Sequence, residues 1–134
     1  MTARREKLFT FGLDNASGVP VYRQIIDQVL GGIAAGSLRA GDQLPTVRQL
    51  AVDLSVNPNT VIRAYRELEI RDVLETQQGT GTFVTSKKPE RDDEERQRRL
   101  AQIAGEVVAR VGAEGFSVHD LIRRLREMSS ERGK

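Results

Sequence analysis

Residues 44–69 read LPTVRQLAVDLSVNPNTVIRAYRELE, and the spacing of apolar side chains in this stretch decides the fold. Val47, Leu50, Ala51 and Leu54 follow i, i+3, i+4, i+7 spacing, which lines one face of a short helix. Thr46 stands just before them as the N-cap, because its hydroxyl can accept a backbone N–H that the first turn leaves without a partner. Pro45 prevents a helix from running in from upstream. Ser55-Val56-Asn57-Pro58 is a tight turn with one apolar residue inside it, and either Asn57 or Asn59 caps a further helix running to about Arg71. Setting Val61 at zero and stepping about 100° per residue puts Ala64, Tyr65 and Leu68 within about 60° of it. Asn59, Arg63 and Arg66 fall opposite. One side packs, and the other offers an amide and two guanidinium groups. Two short helices joined by such a turn, the second with a polar outer face, form a helix-turn-helix pattern.

Upstream, Pro20 opens an earlier helix at its first position, where a missing N–H costs nothing. Val21, Ile25, Val29 and Ile33, flanked by Ile26 and Leu30, form its apolar stripe, with Arg23, Asp27 and Gln28 on the other side. Gly31-Gly32 weakens its interior and Gly36 caps its end. Residues 1–19 read as an arm in which FTFGLD is a short strand or an extended segment. Residues 38–45 read as a loop. Downstream, residues 73–77 form a strand, Gln78-Gly79-Thr80-Gly81 a turn, and residues 82–84 a return strand. An isolated two-stranded hairpin is marginal in water, so Phe83 and Val84 dock it on the helices. The expected fold is mainly α (α+β): a winged helix-turn-helix domain over residues 20–86, followed over residues 87–134 by a linker and a two-helix dimerisation tail.

In that tail the charged stretch 86–99 leads into a helix start. Leu100, Ile103, Ala104, Val107, Val108 and Val111 then make an amphipathic helix. Residues 112–115 close it. Ser117 caps a last helix, with Asp120 three residues on in a capping-box arrangement and Val118, Leu121, Ile122, Leu125 and Met128 as its stripe. Two helices alone cannot cover two such stripes. The surplus surface packs either back on the winged domain or against a second copy. A symmetric homodimer is the favoured expectation, with Leu100, Ile103, Val107, Val111, Leu121, Ile122 and Leu125 at its seam.

Composition narrows the function by exclusion. The chain has 134 residues, no Cys and one histidine, His119. That leaves no thiol chemistry, no His cluster for a metal, and no nucleophile–base pair of the usual kinds. An enzyme is the poorest reading, and no cofactor is implied. A lone His beside a capping Ser is read as surface decoration. No apolar run reaches the roughly 20 residues needed to cross a bilayer, and residues 1–11 lack the apolar core of a secretory signal. The expected location is cytoplasmic, without a membrane partner. Residues 20–85 carry six arginines against seven carboxylates. Any DNA binding there depends on a few placed arginines and not on bulk basicity.

The SGVPVYRQI lead-in, the GDQLPTVRQLA segment, the NPNTVIRAYRELE helix and the QQGTGTFV wing, in this order and over roughly residues 11–85, resemble the GntR family of bacterial transcription regulators, and more narrowly its YtrA subfamily. The resemblance implies that Arg48 opens the second helix and contacts DNA. It further implies that Asn57, Asn59 and Thr60 touch phosphates and base edges, and that Gly79 sits at the tip of a wing entering the minor groove. Thr46 suits a phosphate, and Thr80 and Gly81 complete the wing turn. Where the wider family often has arginines, this chain has Pro58 and Ile62, which leaves Arg63 as the substitute base reader. Asp72 replaces the usual helix-ending glycine, and Asp tolerates the left-handed conformation better than most residues. The expected partners are double-stranded operator DNA and a second copy of the chain; whether a small-molecule effector exists is left open by the sequence. The competing class is a winged-helix protein-interaction module.

Overall fold

The structure is a computed structural model that describes residues 9–86 and 93–130. The chain separates into two compact units, Met1–Lys87 and Lys88–Lys134. In the first, helices α1 (Val21–Ala35), α2 (Val47–Leu54) and α3 (Pro58–Ile70) accompany strands β1 (Gln43–Leu44), β2 (Leu74–Gln77) and β3 (Gly81–Val84). The second holds α4 (Asp93–Ala113) and α5 (Val118–Ser130). This is the expected winged helix-turn-helix fold with a two-helix tail.

The core of the first unit follows the apolar stripes. Ile25, Ile26 and Val29 of α1, Leu50 and Ala51 of α2, and Val61, Ala64, Tyr65 and Leu68 of α3 are buried together with Leu38, Leu44, Leu74 and Val84. The caps fix where each helix begins. The Thr46 hydroxyl accepts from the Gln49 N–H at 3.0 Å. Asn57, not Asn59, caps α3, its Oδ1 accepting from the Asn59 N–H at 2.7 Å, with Pro58 at the first helical position. Pro20 is the N-cap of α1 and not its first residue.

The helices of the motif stop by one shared device. At the end of α2, Val56 N–H reaches the Ala51 carbonyl and Ser55 N–H reaches that of Val52, with Ser55 at φ 58°. At the end of α3, Val73 N–H reaches Leu68 and Asp72 N–H reaches Glu69, with Asp72 at φ 63°. Both are Schellman stops that need one left-handed residue followed by an apolar one. Asp72 takes the conformation expected of it. Ser55 does the same without glycine, at a backbone cost on the order of 1 kcal/mol.

Three further expectations for the first unit need correction. First, residues 38–45 are not all loop. Gln43 and Leu44 form a third strand, so the sheet has order β1-β3-β2, antiparallel, with Gln43 opposite Phe83, Leu44 opposite Thr82 and Leu74 opposite Val84. Two residues give no readable period, so only pairing reveals the strand. Second, Thr82 and Val84 face the core, while Phe83 is half-buried on the other face, because successive strand residues alternate. Third, the segment from Phe9 onward is not a loose arm. Gln28 holds Gly12 by both backbone groups, accepting at 3.0 Å and donating at 2.6 Å. Gln24, one turn earlier, does the same to Asp14 at 2.8 and 3.1 Å. Phe11 is buried, Phe9 meets it edge-on at 5.0 Å, and Phe9 lies over Gly32 of α1.

In the second unit α4 begins at Asp93, inside the stretch read as linker, and its first turn carries Asp93, Glu94 and Glu95. Acidic side chains there complement the positive end of the helix dipole. The α4 stop is again a Schellman motif, with Gly115 at φ 90° followed by Phe116. The capping box of α5 is complete. Asp120 N–H donates to the Ser117 hydroxyl at 3.1 Å, and Ser117 N–H donates to the Asp120 carboxylate at 2.9 Å. That hydrogen bond to the charged form holds the Asp120 carboxyl below its ordinary value, with Arg123 and His119 adding smaller effects.

Candidate nucleic-acid interface

The candidate DNA-contacting residues occupy three places in the first unit. Thr46 and Arg48 stand exposed at the start of α2. Asn57, Asn59 and Thr60 form the first turn of α3, the two asparagines exposed and Thr60 half-buried. Gly79, Thr80 and Gly81 lie at the β2–β3 connection. Two of the three groups are therefore helix N-termini, where backbone N–H groups and the helix dipole favour an anion such as phosphate. The capping oxygens of Thr46 and Asn57 are already occupied. The Thr46 hydroxyl hydrogen and the Asn57 amide group remain as donors, the half of each side chain that a phosphate needs.

On α3 the burial matches the sequence reading. Val61, Ala64, Tyr65 and Leu68 are buried, and Asn59, Arg63 and Arg66 are exposed. The Tyr65 hydroxyl is buried and donates to the Pro45 carbonyl at 2.7 Å, and burial pushes its pKa upward. This bond ties the recognition-helix candidate to the residue just before the α2 cap. Glu69 accepts a hydrogen bond from Thr76 of the hairpin. Arg71 pairs with Glu67 at 3.3 Å.

Arg63 has a partner the sequence reading did not anticipate. Its guanidinium carbon lies 3.7 Å from the centroid of the Tyr22 ring, near the start of α1. A tyrosine at a helix start reads as core, and only the fold shows which arginine meets its face.

The wing tip is shaped by its glycines. Thr80 N–H closes a turn on the Gln77 carbonyl at 2.8 Å, and Gly79 at φ 78° supplies the positive φ that this turn needs at its third position. Gly81 lies at φ 142°, and a Cβ there would stand 2.5 Å from the Gln43 side-chain nitrogen. That nitrogen donates to the Thr80 carbonyl at 3.3 Å, so the missed strand β1 also braces the tip. The sign that could have revealed Gln43 is its place two residues before Pro45, where a chain leaving an edge strand turns into a helix.

These observations meet the comparisons with known proteins. Residues 21–84 match the bacterial regulatory proteins of the gntR family. The HTH-type transcriptional regulator Rv1152 of Mycobacterium tuberculosis is 40% identical over 113 residues, covering 84% of this chain and 88% of that protein. The chain belongs to the GntR family. The HTH-type transcriptional repressor YtrA of Bacillus subtilis is 44% identical over 73 residues, 54% of this chain and 56% of that one, which places this GntR protein among the YtrA-like members. A crystal structure of a transcriptional antiterminator from Listeria monocytogenes EGD-e superposes with a TM-score of 0.65 at 26% identity and covers 92% of both chains. The likeness to that structure therefore takes in the tail as well as the winged domain.

The tail leaves its apolar stripe uncovered. Leu100, Ile103, Val107, Ile122 and Leu125 are exposed, with Leu100 at 58% and Ile103 at 53%. Phe116 and Met128, outside the expected seam, are exposed as well. Val111 and Leu121 are half-buried and line a groove of about 440 Å³ within the hairpin, rimmed by Asp120, Arg123, Arg124 and Glu127. Among the described residues no helix is long and apolar enough to cross a membrane, and no group of three metal-ligating side chains is gathered.

Proposed function

We propose that this GntR-family chain is a sequence-specific DNA-binding transcription regulator, a repressor, that binds a pseudo-palindromic operator as a homodimer. The observation that carries the reading is the division of α3: one side wholly buried, the other presenting Asn59, Arg63 and Arg66 beside the exposed N-terminal turns of α2 and α3. Thr46, Arg48, Asn57 and Thr60 fix the register through phosphates, contacts that position without reading sequence. Asn59 and Arg63 face base edges, an Asn fork suiting adenine and an Arg fork suiting guanine. Gly79, Thr80 and Gly81 let the wing backbone approach a groove wall.

The exposed stripe of α4 and α5 supports the dimer. Large apolar side chains at roughly half exposure along two packed helices form a contiguous patch of the kind that soluble monomers rarely leave open. A two-fold pair then presents its recognition helices to half-sites one helical turn, or a multiple of it, apart. An enzymatic role finds no support in the residue types available, and the relatives are regulators.

Selection of bound DNA from a random pool, followed by footprinting, tests the reading, with the mass in solution measured by light scattering. An inverted repeat bound by a dimer, with affinity falling steeply as salt rises, is the expected result. Binding to no oligonucleotide in dilute buffer, or a monomer bound to unrepeated sites, overturns it. Replacing Leu100 and Leu125 by Asp is expected to give monomers that keep the winged fold and lose operator affinity.

A further inference from the structure

The contact between Arg63 and Tyr22 bears on how the recognition face is set. Arg63 is six residues into α3, on its exposed side, and among the described residues no carboxylate pairs with it. A free arginine there would sample many rotamers, and fixing it costs up to about 2 kcal/mol of side-chain entropy. Here the guanidinium lies 3.7 Å from the centroid of the Tyr22 ring. Tyr22 is itself held. It is half-buried, packs against the core and is the second residue of α1, two residues after the fixed φ of Pro20. A carboxylate partner would consume the N–H fork of an arginine. An aromatic face takes only the flat of the guanidinium and leaves the N–H groups around its edge for another acceptor.

Resting on the DNA-binding reading above, we propose that Tyr22 is a positioning residue for base readout, its ring holding the Arg63 fork toward one base pair of the operator. α1 then contributes to sequence preference without supplying the hydrogen bonds that read it. This role fits a chain in which Pro58 and Ile62 stand on the same helix as Arg63, since neither offers a hydrogen-bonding side chain and base readout along this face is left to Arg63 and Asn59.

The test measures the full-length protein against the selected operator and a panel in which each base pair is changed in turn. The variants are Arg63→Ala, Arg63→Lys, Tyr22→Phe, Tyr22→Leu and the double variant Tyr22→Leu/Arg63→Ala. Arg63→Ala should flatten the preference at one base pair per half-site. Tyr22→Leu should weaken the preference at that same position by about two- to fivefold, as expected for an exposed cation–π contact, and leave the other positions unchanged. Tyr22→Phe keeps the ring and should keep the preference. The double variant should be no worse than Arg63→Ala alone. Arg63→Lys, which keeps the charge but loses the flat fork, reports on the same position without touching α1.

If Tyr22→Leu weakens every operator alike, or changes nothing while Arg63→Ala flattens its position, the positioning role fails and DNA recognition by α3 stands. If Arg63→Ala and Arg63→Lys leave every preference intact, Arg63 reads nothing and the proposal falls with that assignment. If the unaltered protein binds no DNA, the functional reading itself has failed. A thermal melt matching the unaltered protein separates loss of positioning from loss of fold. Should Tyr22→Leu not fold, retention of preference in Tyr22→Phe with its loss in Arg63→Lys supports the proposal, and any other pairing of those two results overturns it.

Discussion

Adjacent glycines in α1 should respond to the same substitution with opposite signs. A glycine in a helix interior costs about 0.5–1 kcal/mol relative to alanine. Gly31 is exposed, and a Cβ there would meet nothing within 4 Å. Gly31→Ala should therefore collect the whole gain. At Gly32 a Cβ would lie 2.9 and 3.0 Å from two atoms of the Phe9 ring and 3.2 Å from Leu38 Cδ1. The ring cannot simply swing away, because it stands edge-on to the buried Phe11. Overpacking of this kind costs about 1–3 kcal/mol, more than the helix gains, so Gly32→Ala should destabilise by up to about 2 kcal/mol. Urea unfolding followed by tyrosine emission is a clean assay. The chain has no Trp and two tyrosines, Tyr22 and Tyr65, both in the first unit. With a urea slope of about 1 kcal/mol per M, the midpoint should rise by about 0.5–1 M for Gly31→Ala and fall for Gly32→Ala. In a Phe9→Ala background Gly32→Ala should cost markedly less, since the two nearest obstacles are gone and only Leu38 Cδ1 remains. Equal gains from the two glycine variants in the native background would refute the docking of residues 9–19 on α1.

Two further predictions concern the links that set the helices. Tyr65→Phe removes the bond to the buried Pro45 carbonyl and should cost about 1–3 kcal/mol, lowering the melting temperature by several degrees; an unchanged melt would mean the hydroxyl contributes nothing. The Asp120 carboxyl is held below its ordinary value of 3.8, so its contribution to the tail is complete above that value and is lost as pH falls through the lower folded one. Far-UV dichroism melts of the native chain and Asp120→Asn should therefore differ at neutral pH and converge as acid protonates the folded Asp120 carboxyl, whereas parallel curves would show that the capping box does not titrate with α5.

The parts of this fold legible in the sequence are those set by local rules. The stripe Val61, Ala64, Tyr65, Leu68, the Thr46 cap, the Ser117–Asp120 box and the left-handed Asp72 each depend on neighbours within a few residues, and each stands as read. The misses depend on partners far along the chain. β1 exists only because β3 pairs with it, nearly forty residues later. The docking of residues 9–19 depends on Gln24, which carried no signal in the sequence, and on Gln28, which read as a residue of the polar face of an amphipathic helix; their amides satisfy another segment's backbone. For the candidate interface, residue type and position were legible, but the bracing was not. Arg63 and Gly81 could be named from the sequence, whereas Tyr22 and Gln43, which hold them, could not.

The two units solve the burial problem in different ways, and this difference shapes the functional reading. The first encloses a core to which all three helices, the sheet and Phe11 contribute, so its surface is free to be polar and to face a charged ligand. In the second, α4 buries no residue, and most of the large apolar side chains of both helices remain open. A helix pair of this kind gains little by folding alone, because most of its hydrophobic stabilisation is realised only when another surface covers it. On the proposed reading that surface is a second tail, so association of the chain and order in its tail are a single equilibrium. On that same reading, whatever shifts the equilibrium shifts operator affinity too, since one winged unit would grip one half-site and only the pair would hold both. The winged unit needs no moving part for such control. Its candidate reading face is braced by the Tyr65–Pro45 bond and by Gln43, and on the proposed reading the variable quantity is how many copies arrive together.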